Sequence, residues 1–214
     1  MRICRVVTVP MTFETLYREQ LGYLAQQGID VTLVSSPGTG LEAIAKSLNM
    51  SCYSIKMARK AEPIRDLHAL IALTKLLRRK RFDIVHSNTS KAGLLTAFAG
   101  VLARVPVRIH TFTGQVWMGM QGVTRKIMRL CDWIIGHMNT HCYADSASQR
   151  EFLVNEKLAV ASKLSVLGAG SVGGVDLERF SPKVFGKERV ATIRRELGIT
   201  QQSFVILFVG RLTK

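Results

Sequence analysis

Short apolar, β-branched runs alternate with longer stretches of helical periodicity from one end of the chain to the other. Few folds accept that order. A strand, a crossover helix and a second strand pack as parallel neighbours with right-handed connections, so repeating the unit builds one parallel sheet with helices on both faces. The expected fold class is therefore α/β, a doubly wound parallel sheet of Rossmann-like type.

The strand-type runs fall at residues 3–8, 30–35, 51–55, 83–86, 107–111, 141–144 and 163–167. Between them, Thr12 is placed to cap a helix that Gly28 ends. Thr39-Gly40-Leu41-Glu42 and Ser146-Ala147-Ser148-Gln149 read as capping boxes. Pro63 suits the first turn of a long helix whose Ile64, Leu67, Leu70, Ile71, Thr74 and Leu77 form one stripe. Helices are also expected over 92–103 and 123–138, the second apolar through Ile127, Leu130, Cys131, Ile134 and Ile135. This first domain is complete near residue 185, giving 1–185. Residues 186–214 then supply a charged helix at 188–197, stopped by Gly198, and an apolar run at 204–209 of the kind buried at the centre of a parallel sheet. The expectation is the linker helix and first strand of a second Rossmann-like domain, of which the chain holds only the start.

Function classes narrow next. No stretch approaches the ~18 apolar residues of a membrane span, and the N-terminus lacks the apolar core of a signal peptide. Cys4, Cys52, Cys131 and Cys142 are scattered without metal or redox spacing, which suits reduced thiols in the cytoplasm. The net charge of +15 raises nucleic acid, anionic lipid or a phosphorylated ligand as partners. The basic groups of residues 78–81 and of Arg125, Lys126 and Arg129 lie on amphipathic helices, without aromatic platforms between them. That pattern favours an anionic membrane surface over nucleic acid, with a solvated basic face as the competing account.

In open α/β sheets ligands bind beyond the carboxyl ends of the strands. Those ends carry Thr8, Met11 and Thr12; then His86, Asn88 and Lys91; then His110, Thr111, Thr113 and Gln115, with Trp117 in the loop beyond. Imidazoles at two strand ends are candidates for general base or sugar hydrogen bonding. Lys91, at a helix start, suits a phosphate. The stretch 168–173 matches G-x-G-x-x-G, but Pro182 leaves no room for the helix a dinucleotide site needs, so it reads as a glycine turn, with Asp176 capping a short turn after it. No Walker, H-E-x-x-H or G-x-S-x-G motif is present; neither a metal nor a cofactor is expected.

Five ordered blocks then carry a resemblance: 86–93, 110–117, 144–153, 170–182 and 209–212. Together they resemble bacterial family 4 glycosyltransferases of surface-polysaccharide assembly. The resemblance implies a GT-B fold, two Rossmann-like domains facing across a cleft. It implies retaining hexosyl transfer from a nucleotide-sugar donor, without an obligatory metal, to a polyprenyl-diphosphate-linked or saccharide acceptor at the inner face of the plasma membrane. Under it, the acceptor side is Thr8, Met11, Thr12, His86, Asn88, Lys91, Thr111, Gln115 and Trp117. Arg211 matches the arginine that meets the donor diphosphate, with Gly210 beside it. Relatives carry histidine where Thr113 stands, which leaves His110, Thr113 and His86 as catalytic candidates. Half a donor site predicts inactivity of the chain alone; a non-catalytic membrane- or partner-docking module is the alternative.

Overall fold

The computed structural model describes residues 1–58, 61–171, 173–200 and 202–210. It contains two compact units, Met1–Gly173 and Gly174–Lys214.

The first unit is built on seven parallel strands: β1 (Arg2–Val6), β2 (Asp30–Ser35), β3 (Ser51–Ser54), β4 (Ile84–Asn88), β5 (Val107–Phe112), β6 (His141–Ala144) and β7 (Leu164–Val166). Their order is β3-β2-β1-β4-β5-β6-β7, every pairing parallel. The order reverses direction between β1 and β4, so these two strands flank the topological switch point where such sheets open a crevice. The expected doubly wound sheet is present.

Six helices connect the strands: α1 (Arg18–Gln26), α2 (Leu41–Ser47), α3 (Pro63–Lys80), α4 (Ser90–Leu102), α5 (Gly122–Met138) and α6 (Ala147–Asn155). One apolar cluster joins Val31 and Leu33 of β2 to Leu21, Leu41 and Ile44 beneath α1 and α2. A second joins Val6 and Val85 to Leu73, Leu77 and Leu95 beneath α3 and α4. A third joins Phe112, Cys142 and Leu164 to Ile135 and Leu153 beneath α5 and α6.

Local signals were met unevenly. Ser146 caps α6, its Oγ accepting from Gln149 N, while the Gln149 side chain accepts in turn from Asp145 N. Pro63 opens α3 as expected, and Arg78, Arg79 and Lys80 sit in its last turn, where the helix dipole favours cations. Thr39 does not cap α2: Gly40, left-handed at φ 106°, holds that position without a side-chain bond. Thr12 caps nothing either, because the chain after β1 turns through a π-helical segment, Phe13–Tyr17, whose wide turn buries Phe13 and Tyr17. The stripe expected on α3 is met in part: Thr74 and Leu77 are buried and Leu70 packs against the core, while Ile64, Leu67 and Ile71 are exposed and Ala69, Leu73 and Leu76 are buried in their place. On α5 likewise Ile127 and Leu130 face outward and Ile135 is the buried contact.

In the second unit Asp176 caps a turn, its Oδ1 accepting from Glu178 N and Arg179 N. A helix, α7 (Lys187–Glu196), follows and Gly198 closes it at φ 66°. Residues 204–209, expected as a buried strand, have no sheet partner and are exposed. A strand exists only through its neighbours' hydrogen bonds, and the described residues offer none. Arg211 lies outside the described residues.

Candidate functional site

The crevice over β1 and β4 is built around a charge. Arg5 stands in the middle of the apolar first strand and is buried. Its Nη1 contacts His86 Nδ1, its Nη2 donates to Asn88 Oδ1 at 3.2 Å, and its guanidinium carbon lies 4.8 Å from the centre of the Tyr17 ring. Burial pulls its pKa down to about 10. Register explains the assembly. Arg5 is level with His86 and Asn88 is level with Thr111, so alternate residues of neighbouring strands share one face of the sheet.

His86 Nε2 and Thr111 Oγ1 are 2.8 Å apart. Burial first, then the charge of Arg5, holds the His86 pKa well below the ordinary histidine value. His110 lies on the opposite face. Its Nδ1 is 2.9 Å from Ser87 Oγ, its ring stands edge-on to Phe112, and burial pulls its pKa down to about 3. α4 crosses directly over it: a Cβ on Gly93 would come within 2.5 Å of His110 Cε1. Both imidazoles are packed, and burial favours their neutral form, which suits them to hydrogen bonding within the crevice wall. Of the three catalytic candidates, Thr113 alone is exposed, at the rim.

Several residues expected to contact acceptor also sit elsewhere. Trp117 is buried, its Nε1 donating to Asp132 Oδ2 at 2.7 Å and its ring stacked on Phe152. Lys91 Nζ is paired with Asp66 of α3 rather than presented to a phosphate. Asn88, Thr111 and His86 form the floor of the crevice and are engaged with Arg5 and with one another. Thr8 Oγ1 bonds Thr89 Oγ1 at 2.7 Å, tying the ends of β1 and β4 together across the switch point. Strand-end side chains lie below the surface because the loops beyond them rise higher. At the rim Met11 and Thr113 are exposed, and Thr12, Gln115 and, at the end of β6, Asp145 and Ser146 are half-buried. The glycine turn folds over that end: Ser171 N donates to Asp145 O at 2.7 Å, and Gly170, at φ 105°, leaves no room for a side chain against the same carbonyl.

The sequence reading missed Arg5 and Tyr17. The available signal was a lone arginine inside the run Ile3-Cys4-Arg5-Val6-Val7, where a strand covered on both faces should carry no charge. The crevice so formed presents hydroxyls and amides above a buried cation, a lining suited to a polyhydroxylated ligand with an anionic group.

A sheet of this order, with a polar crevice over its switch point, is the fold of one half of a GT-B glycosyltransferase. The chain belongs to the family of glycosyl transferase 4-like domains, which matches residues 14–170. It is 29% identical over 213 residues to the capsular polysaccharide biosynthesis glycosyltransferase CapM of Staphylococcus aureus, covering 100% of this chain and 54% of that protein. It is 28% identical over 198 residues to the UDP-Gal:alpha-D-GlcNAc-diphosphoundecaprenol alpha-1,3-galactosyltransferase of Escherichia coli, covering 91% of this chain and 49% of that one. The chain thus spans about half the length of the curated relatives it matches. In fold it is similar to a glycosyltransferase of Rickettsia africae, with a TM-score of 0.63 at 18% identity over 100% of this chain and 53% of the other.

Proposed function

We propose that this chain is the acceptor-side half of a polysaccharide-assembly glycosyltransferase. It transfers a hexosyl group with retention from a nucleotide-sugar to a lipid-linked or saccharide acceptor. The observation that carries the reading is the family match across residues 14–170, which holds the β4, β5 and β6 sides of the crevice. The hydroxyls and amide at the rim support sugar recognition, and the Escherichia coli relative, whose name specifies UDP-Gal and a diphosphoundecaprenol-linked acceptor, supports the substrate classes. The nucleotide-sugar is held by a second domain that begins within 186–214, with Gly210 and Arg211 at its diphosphate. Alone, the chain is inactive.

The enzyme works at the inner face of the plasma membrane. No helix among the described residues is long and apolar enough to cross a bilayer. α5 supports attachment from one side instead: Val123, Ile127 and Leu130 form an exposed apolar stripe with Lys126 beside it, on a helix that also carries Arg125 and Arg129.

The test is transfer from a panel of UDP-hexoses to undecaprenyl-diphosphate-linked saccharide, by this chain and by the polypeptide of its complete reading frame. Activity of the longer polypeptide alone, with the anomeric configuration of the donor preserved, is the expected result. Transfer by the 214-residue chain, or an inverted product, overturns the corresponding part. Vesicles containing phosphatidylglycerol should sediment the chain, and Ile127→Glu should abolish that.

A further inference from the structure

At the far end of the sheet from the crevice, β3 is an edge strand, and the helix that follows it leaves a trough beside it. Two adjoining cavities, about 290 and 390 Å³, share Ser54, Ile55 and Ala72 and together run along the length of α3. The floor is apolar, with Ile55, Ala69 and Leu76 buried. The walls are basic: Lys56, Arg65, Lys75 and Arg79 line the two cavities, and no carboxylate does among the described residues. Arg65 is partly neutralised by Glu62, 2.5 Å away. Tyr53, beside the trough, has Lys80 Nζ 5.4 Å from its ring centre, and the nearby Lys80 is the main cause of a lowered phenol pKa. A concave wall of one charge sign over an apolar floor focuses the field into the trough and concentrates anions there.

The spacing selects the shape of the anion. Lys75 and Arg79 are one helical turn apart, about 6 Å along the axis. Alternate side chains of an extended peptide repeat at about 6.6 Å, so successive carboxylates on one face of a strand match that pair. The backbone of β3 supplies the other half. Ile55 N donates inward to Ser35 O at 2.8 Å, so by strand alternation the main-chain N–H and C=O of Ser54 point away from the sheet.

We propose that this trough docks an extended acidic segment of a partner protein, added beside β3 as an eighth strand. Its carboxylates meet Lys75 and Arg79, and its apolar side chains lie on Ile55 and Ala72. Strand addition supplies the affinity through main-chain bonds, and the cationic wall supplies the selectivity.

The probe is a synthetic ten-residue peptide of alternating Glu and Val, titrated into the whole chain by fluorescence polarisation and amide NMR. Saturable binding with shifts confined to β3 and α3 is expected. Ala72→Glu, which places a carboxylate at the junction of the cavities on an exposed helix position, should weaken it about tenfold or more. Ala72→Gln, equal in size, should change it less than about threefold. A Lys-Val peptide and an N-methylated Glu-Val peptide should both fail to bind. No binding of the acidic peptide, equal binding of the N-methylated form, or insensitivity to Ala72→Glu would overturn the proposal. So would phosphatidylglycerol vesicles shifting β3 and α3 where the peptide does not, since they would make the trough a lipid site.

Discussion

Arg5 of β1 and His86 of β4 stand level in the sheet and are joined by a guanidinium–imidazole hydrogen bond. A guanidinium can only donate, so His86 Nδ1 accepts, the ring proton sits on Nε2, and Thr111 Oγ1 accepts that proton at 2.8 Å. One buried charge thus fixes the tautomer of the imidazole and the hydroxyl direction of the next strand.

The expected signature is a His86 ring with an unprotonated Nδ1 and a protonated Nε2 in nitrogen-15 spectra, unchanged between about pH 5 and 8. Arg5→Met removes both the donor and the charge, and the His86 titration should then move up towards the ordinary histidine value. A wild-type ring that titrates near 6.5 would show that Arg5 does not govern it.

Acid stability follows from three buried groups. His86 and His110 have pKa values depressed from 6.5, so the unfolded chain takes up two protons that the folded chain refuses. Their contribution is complete above pH 6.5 and is lost as the pH falls below it. Asp132 opposes them. Burial raises its pKa from 3.8 to about 6, against a smaller lowering by the Trp117 hydrogen bond, so its contribution is greatest at low pH and declines as pH rises to 6. Between pH 4 and 6 the unfolded state holds two of these protons and the folded state one, so stability still rises with pH. Urea midpoints measured across this range should show that slope. Asp132→Asn, which keeps an acceptor for Trp117 and removes the opposing proton, should steepen it by up to about 1.4 kcal/mol per pH unit.

Thr89 carries local strain at the switch point, with φ 71° and ψ 141°, a region nearly reserved for glycine. Replacement by glycine and by alanine loses the same bond to Thr8, so the difference between the two variants isolates the backbone term. Thr89→Gly should be more stable than Thr89→Ala by about 1–2 kcal/mol in denaturant unfolding. Equal stabilities would mean that the turn relaxes freely.

The sheet was legible because each strand announces itself locally, through β-branched runs bounded by turn residues. Ser146 was legible for the same reason, its partner being three residues away. The crevice was less so. His86, Asn88 and Thr111 were read as exposed at strand ends, yet whether a strand-end side chain reaches solvent depends on which neighbour lies level with it and how high the next loop rises. Arg5 lies 81 positions from His86 in sequence, and only the parallel register brings the two together. The stripe on α3 was half legible: Leu77 and Thr74 are buried as periodicity implies, but Ile64, Leu67 and Ile71 of the same stripe are exposed and Ala69, Leu73 and Leu76 are buried.

The contact between Gly93 and His110 tests how tightly α4 must approach the sheet. A methyl group at Gly93 would meet His110 Cε1 at 2.5 Å, Nδ1 at 2.8 Å and Ile135 Cδ1 at 3.0 Å. None of these is the free end of a flexible chain: the imidazole is held by Ser87 and Phe112, and Ile135 is buried beneath α5. Alanine has the better helix propensity, and at an exposed helical site the change would stabilise by about 1 kcal/mol. Here overpacking should win, and Gly93→Ala should destabilise by about 1–3 kcal/mol. Combining it with His110→Ala, which removes the ring it strikes, should restore part of that loss in a double-mutant cycle. A neutral or stabilising Gly93→Ala would mean that α4 rides higher over β5 and that His110 is less tightly enclosed.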